Sequence, residues 1–190
     1  EFGKLYFPET FFGNGAQFDD GYLSVTGFEP ETNSFSINYG NVNSPATGEV
    51  IQRGGMVMQT QKNNDGYFGT QNSSFSYTLE GGLLALDKYV HVANAGKTRS
   101  MSILRIAGGT LEKTGFGDLQ LGWGGGTAVV YQTGGTYRQP GNNIRLNSNY
   151  YITSAQGGFA LWASEGGNSL AEAKGTVWMG ENTNSVSHFA

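Results

Sequence analysis

Two glutamates stand where they could act as an acid–base pair. Glu165 and Glu181 each follow a short apolar segment that carries a tryptophan. Glycoside hydrolysis needs two carboxylates about 5–10 Å apart beside the scissile bond. Glu49 and Glu112 have similar surroundings in the sequence, so the pair is not unique. A glycoside hydrolase is therefore kept as a second alternative function, with Glu165 and Glu181 as its candidate catalytic residues, although the sequence as a whole leans against an enzyme.

Other catalytic chemistry has few residues available. The chain contains two histidines, His91 and His188, and no cysteine. It also lacks the G-x-S-x-G segment that marks the nucleophile of many serine hydrolases. His91 falls in the alternating run 89–92, which predicts an outward-facing strand residue. We expect no nucleophilic triad.

Oxygen-bearing side chains gather in three glycine-containing segments, at 19–21, 63–66 and 115–118. Carboxylate and amide oxygens are the ligands that calcium prefers. None of the segments has the D-x-D-x-D-G spacing of an EF-hand, and Asp-Gly and Asn-Asp are common in ordinary turns. We predict no metal site and no cofactor, with calcium as the one alternative.

Aromatic and amide side chains are concentrated between positions 123 and 143. A sugar ring presents an apolar C–H face and a rim of hydroxyl groups, so a matching site combines a flat aromatic ring with amides and short polar side chains. The alternative is that these residues belong to the strands and turns of a polar sheet. The candidate ligand-binding residues are Trp123, Tyr131, Tyr137, Arg138, Asn142, Asn143 and Trp162.

The elements that would position these residues are strands. Apolar and polar residues alternate at 34–39, 74–79 and 101–106, a pattern of strands with one buried face. Only 168–174 suggests a helix, as a single turn that begins at Asn168 or Ser169. The sequence predicts an all-β protein.

Gly-Gly pairs recur at near-regular intervals between these strands, at 54–55, 81–82, 108–109 and 134–135. Two consecutive glycines supply the positive φ angles of a two-residue hairpin turn. Successive hairpins predict an antiparallel β-sandwich or jelly roll. The spacing of 27, 27 and 26 residues would also fit a β-solenoid with one coil per repeat. Because a shift of 27 residues aligns little beyond the glycines, the solenoid is the alternative.

Length and charge limit the class further. The 190 residues fit one domain, 1–190, and the 31 glycines follow no collagen period. A net charge of −4 with 11 scattered basic residues argues against a nucleic-acid partner. No apolar run is long enough for membrane insertion. The sequence begins with Glu1-Phe2 rather than Met, which fits either a removed secretory signal or a cloned fragment with a vector scar at 1–2.

These observations predict a secreted or surface-exposed recognition domain without catalytic activity. Its partner would be a carbohydrate or a cell-surface glycan, bound through the aromatic and amide side chains. The first alternative is a self-assembling structural subunit of a pilus, capsid, phage fibre or extracellular coat, whose unpaired sheet edges add strands from neighbouring copies. A homo-oligomer would be compatible with either function.

Overall fold

The fold is taken from a computed structural model. It describes residues 4–6, 16–18, 22–25, 35–39, 46–59, 66–70, 73–86, 89–94, 100–146, 159–166, 168–179 and 186–190. These residues form twenty strands and one short 3-10 turn, η1 (Trp123–Gly125). The expected all-β class is confirmed.

The strands lie in three sheets, and every strand pair is parallel. Sheet A has seven strands: β1 (Lys4–Tyr6), β3 (Tyr22–Val25), β6 (Met56–Gln59), β9 (Leu83–Leu86), β12 (Thr110–Lys113), β15 (Thr136–Gln139) and β18 (Leu170–Ala173). Sheet B also has seven: β2 (Ala16–Phe18), β5 (Ala46–Gln52), β8 (Ser73–Leu79), β11 (Ser100–Ile106), β14 (Thr127–Gln132), β17 (Phe159–Ser164) and β20 (Val186–Phe189). Sheet C has six: β4 (Phe35–Tyr39), β7 (Gly66–Thr70), β10 (Val90–Asn94), β13 (Leu119–Leu121), β16 (Ile144–Leu146) and β19 (Val177–Met179).

The chain runs repeatedly from sheet B to sheet A to sheet C, so each circuit is one coil of a β-solenoid. The predicted antiparallel sandwich is wrong, and the solenoid alternative is confirmed. The Gly-Gly pairs do not close hairpins. After Gly54-Gly55 the chain enters β6, which pairs with β3 and β9 rather than with β5. Each pair instead forms the corner between sheets B and A.

Stacking of successive coils explains why both corner positions are glycine. A Cβ atom on Gly108 would lie 2.2 Å from the carbonyl oxygen of Glu80 in the preceding coil. On Gly109 it would lie 2.6 Å from the carbonyl oxygen of Gly82. Gly109 also has a φ of 66°, a left-handed conformation that L side chains disfavour. The 27-residue spacing therefore records the length of one coil.

Buried glutamines hold the inner side of two of these corners. Gln52 is fully buried, and its Nε2 donates to the carbonyl oxygens of Gly54 at 3.2 Å and Leu83 at 3.0 Å. Gln132, three coils later, donates from Nε2 to the carbonyl oxygen of Gly135 at 3.1 Å. These bonds pair the buried glutamine amides with backbone carbonyl oxygens, as buried polar groups require.

The core fills the space between the three sheets. Inward positions of each strand lie in register with inward positions of the next coil, so apolar side chains stack in columns along the solenoid axis. One column in sheet B consists of Tyr77, Leu104, Val130 and Trp162, all at most 1% exposed. The members of this column differ in size and share only apolar character.

The segment that suggested a helical turn is a strand. Leu170–Ala173 forms β18, whose four residues pair in register with those of β15. The leucine, alanines and glutamate of this segment favour a helix locally, but the parallel partner strand fixes an extended backbone. The expected helix is therefore wrong.

Candidate functional site

Four rings form a continuous row on the outer side of sheet C. The ring centroids of Phe116 and Tyr89 lie 5.9 Å apart in an edge-to-face arrangement. Tyr89 and His91 are stacked at 6.4 Å, and His91 meets Trp123 edge-to-face at 5.6 Å. These separations and geometries are those of favourable aromatic contacts. We call Phe116, Tyr89, His91 and Trp123 the aromatic row.

Three left-handed glycines place Trp123 at one end of the row. Gly122, Gly124 and Gly125 have φ angles of 71°, 67° and 94°, in the left-handed region that favours glycine. The Gly122 amide donates to the carbonyl oxygen of Val92 at 2.9 Å and so ties this turn to β10, the strand that carries His91. The glycine-rich segment therefore fixes the position of one tryptophan ring.

A second tight turn places Phe116 at the other end. Gly117 has a φ of 102°, and a Cβ on it would lie 2.8 Å from Cγ of Tyr89. The turn consequently lies close against both the backbone and the ring of Tyr89. Phe116 itself is 70% exposed.

The middle of the row is buried and has an amide beside it. His91 is 6% exposed, and Gln120 on the next coil is in register with it and 5% exposed. The Oε1 atom of Gln120 accepts no hydrogen bond from the described part of the chain. His91 lies on the outward face of its strand, as expected, and Tyr89 and Trp123 cover its ring.

Two of the predicted ligand-binding residues lie in the core instead. Tyr137 and Trp162 are 0% and 1% exposed, and their rings meet edge-to-face at a centroid distance of 4.7 Å. Neither side chain reaches the surface. In the sequence they resemble their exposed neighbours, because strand polarity alone does not reveal which face is inside.

Two others lie on different sheets. Tyr131 is on the outer face of sheet B, where its hydroxyl donates to Oε2 of Glu165 at 2.9 Å. Arg138 is exposed on sheet A and forms an ion pair with Glu172 at 3.2 Å. The structure therefore does not bring Tyr131 and Arg138 together with Trp123.

Asn142 and Asn143 join neighbouring coils at the corner between sheets A and C. The Asn142 amide donates to the carbonyl oxygen of Gly115 at 2.6 Å. The Asn143 backbone amide donates to Oδ1 of Asp118 at 2.8 Å, and its side-chain Oδ1 accepts from the Thr176 amide at 3.0 Å. Both side chains thus have structural partners.

The two candidate catalytic glutamates are not brought together among the described residues. Glu165 is exposed, with Tyr131 as its partner, whereas Glu181 lies outside the described residues. Within the described ranges no group of three or more His, Asp or Glu side chains is arranged to hold a metal ion. The same ranges contain no helix of the length and hydropathy required to cross a membrane.

Sequence reasoning identified Trp123 but missed Tyr89 and Phe116. Tyr89 and Phe116 are 27 residues apart, the same interval as the first three Gly-Gly pairs. Writing the sequence in rows of one coil length would have placed both residues at the same corner, between sheets A and C.

Substitution of Glu165 by glutamine is expected to lower the pKa of Tyr131. The hydrogen bond from the Tyr131 hydroxyl to Glu165, and then the negative charge of Glu165, raise the pKa of this phenol, and Arg105 opposes them. A phenol pKa that is raised in the folded state contributes stability below the ordinary phenol pKa of about 10, and this contribution is lost as the pH rises through the folded-state value.

The measurement is a phenolate absorbance titration of the unmodified protein and of Glu165→Gln. Subtracting the titration curve of the Tyr131→Phe variant from each of the two curves leaves the contribution of Tyr131. A Tyr131 pKa that is the same with and without the Glu165 charge would contradict the assignment.

Comparison of the chain with models of known families, with curated proteins and with solved structures finds no match. The class of the protein is therefore defined by its own fold, a three-sheet parallel β-solenoid with an aromatic row on one sheet.

Proposed function

We propose that this protein is a secreted or surface-exposed recognition domain without catalytic activity, and that it binds carbohydrate through the aromatic row. The observation that carries the proposal is the continuous contact between Phe116, Tyr89, His91 and Trp123. Single exposed aromatic residues are common on protein surfaces. A row built by two tight glycine turns is a more specific arrangement.

The two ends of the row are the parts that a ligand can reach. Phe116 is largely exposed and Trp123 is partly exposed, whereas His91 is buried between its neighbours. An aromatic ring offers a flat apolar surface to the C–H face of a sugar. The Gln120 amide lies beside His91 and is 5% exposed, so the contact with a sugar falls to the rings at the two ends.

The turns that carry these rings are held in fixed conformations, which favours binding. Left-handed glycines on both sides of Trp123, and the close approach of Gly117 to Tyr89, leave each turn little freedom to rearrange. A site that is ordered before binding loses less conformational entropy when the ligand arrives. The parallel sheet below the row provides a rigid support.

Replacement of Trp123 by alanine is expected to weaken glycan binding by about tenfold or more, since a loss of about 1.4 kcal/mol of contact energy is a factor of ten in affinity. Replacement of Phe116 by alanine should also weaken glycan binding. A ligand is first identified by screening soluble glycans with tryptophan fluorescence and insoluble polysaccharides with sedimentation. Calorimetry then compares the variants, because Trp123→Ala removes part of the fluorescence signal.

Tyr131→Ala is the matched control, because Tyr131 is a partly exposed aromatic residue near the end of β14 that is farther from Trp123. It should leave binding unchanged, and circular dichroism should show all three variants folded. Glycan binding that survives both Trp123→Ala and Phe116→Ala, or the absence of binding to every glycan tested, would refute the proposal.

A further inference from the structure

The last described strands of sheets A, C and B are β18, β19 and β20, and we call them the open end. Within the part of the chain that is described, each pairs with a strand on one side only. Val177 and Met179 are 36% and 48% exposed, although their register partners Ile144 and Leu146 are 2% and 0% exposed. Phe189 continues the inward column of Trp162 and is 45% exposed. The core columns thus reach this end with their apolar side chains uncovered.

The strands at this end lack two of the usual protections against further pairing. Natural sheet edges are commonly blocked by very short strands, lysine, proline, a bulge or an inward-pointing charge. The sequences of β18, β19 and β20 are LAEA, VWM and VSHF, which contain neither lysine nor proline. The one carboxylate, Glu172, is in register with Arg138 on the outer face of sheet A.

The opposite end of the solenoid has complementary edges. β1 and β2 are the first strands of sheets A and B and pair, among the described residues, only with β3 and β5. Leu5 is in register with Leu23 and Ala16 with Val50, so apolar residues stand at inward register positions on these strands. All these strands run parallel to those at the other end.

We propose that the occupant of the open end is a second copy of this chain, with its β1 paired to β18 and its β2 paired to β20. Each copy carries both edges, in the same two sheets, with the same strand direction and with apolar inward columns. The registers place Lys4 of one copy beside Leu170 of the next, and Ala16 beside Phe189. Because the two ends differ, this contact is head-to-tail and open-ended. The proposal is independent of carbohydrate binding.

A pair of introduced cysteines tests the contact directly. Lys4 and Leu170 lie on the first and last of the seven strands of sheet A, about 29 Å apart at about 4.8 Å per strand spacing. A disulfide requires Cα atoms within about 7 Å, so these two positions cannot be bridged inside one chain. The native sequence contains no cysteine to compete.

Mild oxidation of a K4C/L170C double variant is expected to give a ladder of covalent multimers on a non-reducing gel. A mixture of the single variants K4C and L170C should give covalent dimers, whereas either single variant alone should give few. A double variant that stays monomeric, or single variants that cross-link as well as their mixture, would overturn the head-to-tail contact. If a single variant formed disulfide-linked dimers with an unrelated cysteine-containing protein instead of with the other single variant, the contact would also be overturned.

Mass measured against concentration provides a second test without cysteines. The unmodified chain should increase in mass from low to high micromolar concentration, and Phe189→Asp should abolish the increase by placing a charge on the open end. Phe116→Asp is the matched control, since Phe116 is exposed away from this end. An increase that persists in folded Phe189→Asp, or that disappears equally in Phe116→Asp, would contradict the proposal.

Discussion

Replacement of Gly109 by alanine is expected to destabilise the solenoid by about 2–5 kcal/mol, from left-handed strain and from overpacking. The φ of 66° disfavours any L side chain, and the added Cβ would lie 2.6 Å from a backbone oxygen of the preceding coil. The atom that it meets is backbone, so it cannot move aside without displacing the whole corner. The measurement is urea unfolding followed by circular dichroism.

Gly141→Ala is the matched control for this substitution. A Cβ at Gly141 would meet no atom within 4 Å, and its φ is not among the positive values. We expect a change within about 0.5 kcal/mol, as for ordinary surface substitutions. Equal stabilities for Gly109→Ala and Gly141→Ala would show that close stacking of the corners is not what requires glycine.

Replacement of Trp162 by alanine is expected to cost about 3–5 kcal/mol of folding stability, the usual range for a buried tryptophan. Trp162 is 1% exposed and packs edge-to-face on Tyr137. Its removal would leave a cavity in the column between Val130 and Phe189. Thermal and urea unfolding measure the loss.

Two further variants separate packing from surface effects. Trp162→Phe keeps most of the volume and removes the Nε1 atom, which has no hydrogen-bond partner among the described residues, so its cost should stay below about 1.5 kcal/mol. Trp178→Ala removes a tryptophan that is 46% exposed and should cost less than about 1 kcal/mol. If Trp162→Ala proved as mild as Trp178→Ala, the core position of Trp162 would be wrong.

The strand content could be predicted because alternation is a local property of the sequence. The segments 74–79 and 101–106 alternate between polar and apolar residues and form β8 and β11. The partner of each strand could not be predicted from the same pattern. A Gly-Gly pair allows a sharp change of direction, but whether the next strand returns to the same sheet or enters another depends on contacts one coil away.

The internal repeat was visible only in its glycines, for a physical reason. At the corners between sheets B and A, a Cβ on the paired glycines would meet backbone atoms of the preceding coil, so glycine recurs there from coil to coil. Inward positions need only apolar side chains whose sizes fit together, so Val57, Leu84, Leu111 and Tyr137 can share one column. An identity-based comparison of repeats therefore detects the corners and misses the core.

The residues of the candidate site could likewise be predicted only in part from the sequence. Trp123 was found because its neighbours are glycines, whereas Tyr137 and Trp162 were grouped with it because they are close in sequence. In a solenoid, neighbours on the surface are residues about one coil apart. Proximity along the chain therefore selects residues on different sheets, as it did for Tyr131 and Arg138.

The one-coil spacing of the corner glycines also bears on how the chain acquires its structure. Nearly every strand pair joins segments about one coil apart, so the entropy cost of loop closure is similar for each new coil. Two adjacent coils contain every type of contact that the longer stack uses. A folding nucleus can therefore form anywhere along the axis and grow in either direction by adding coils, as in other repeat proteins.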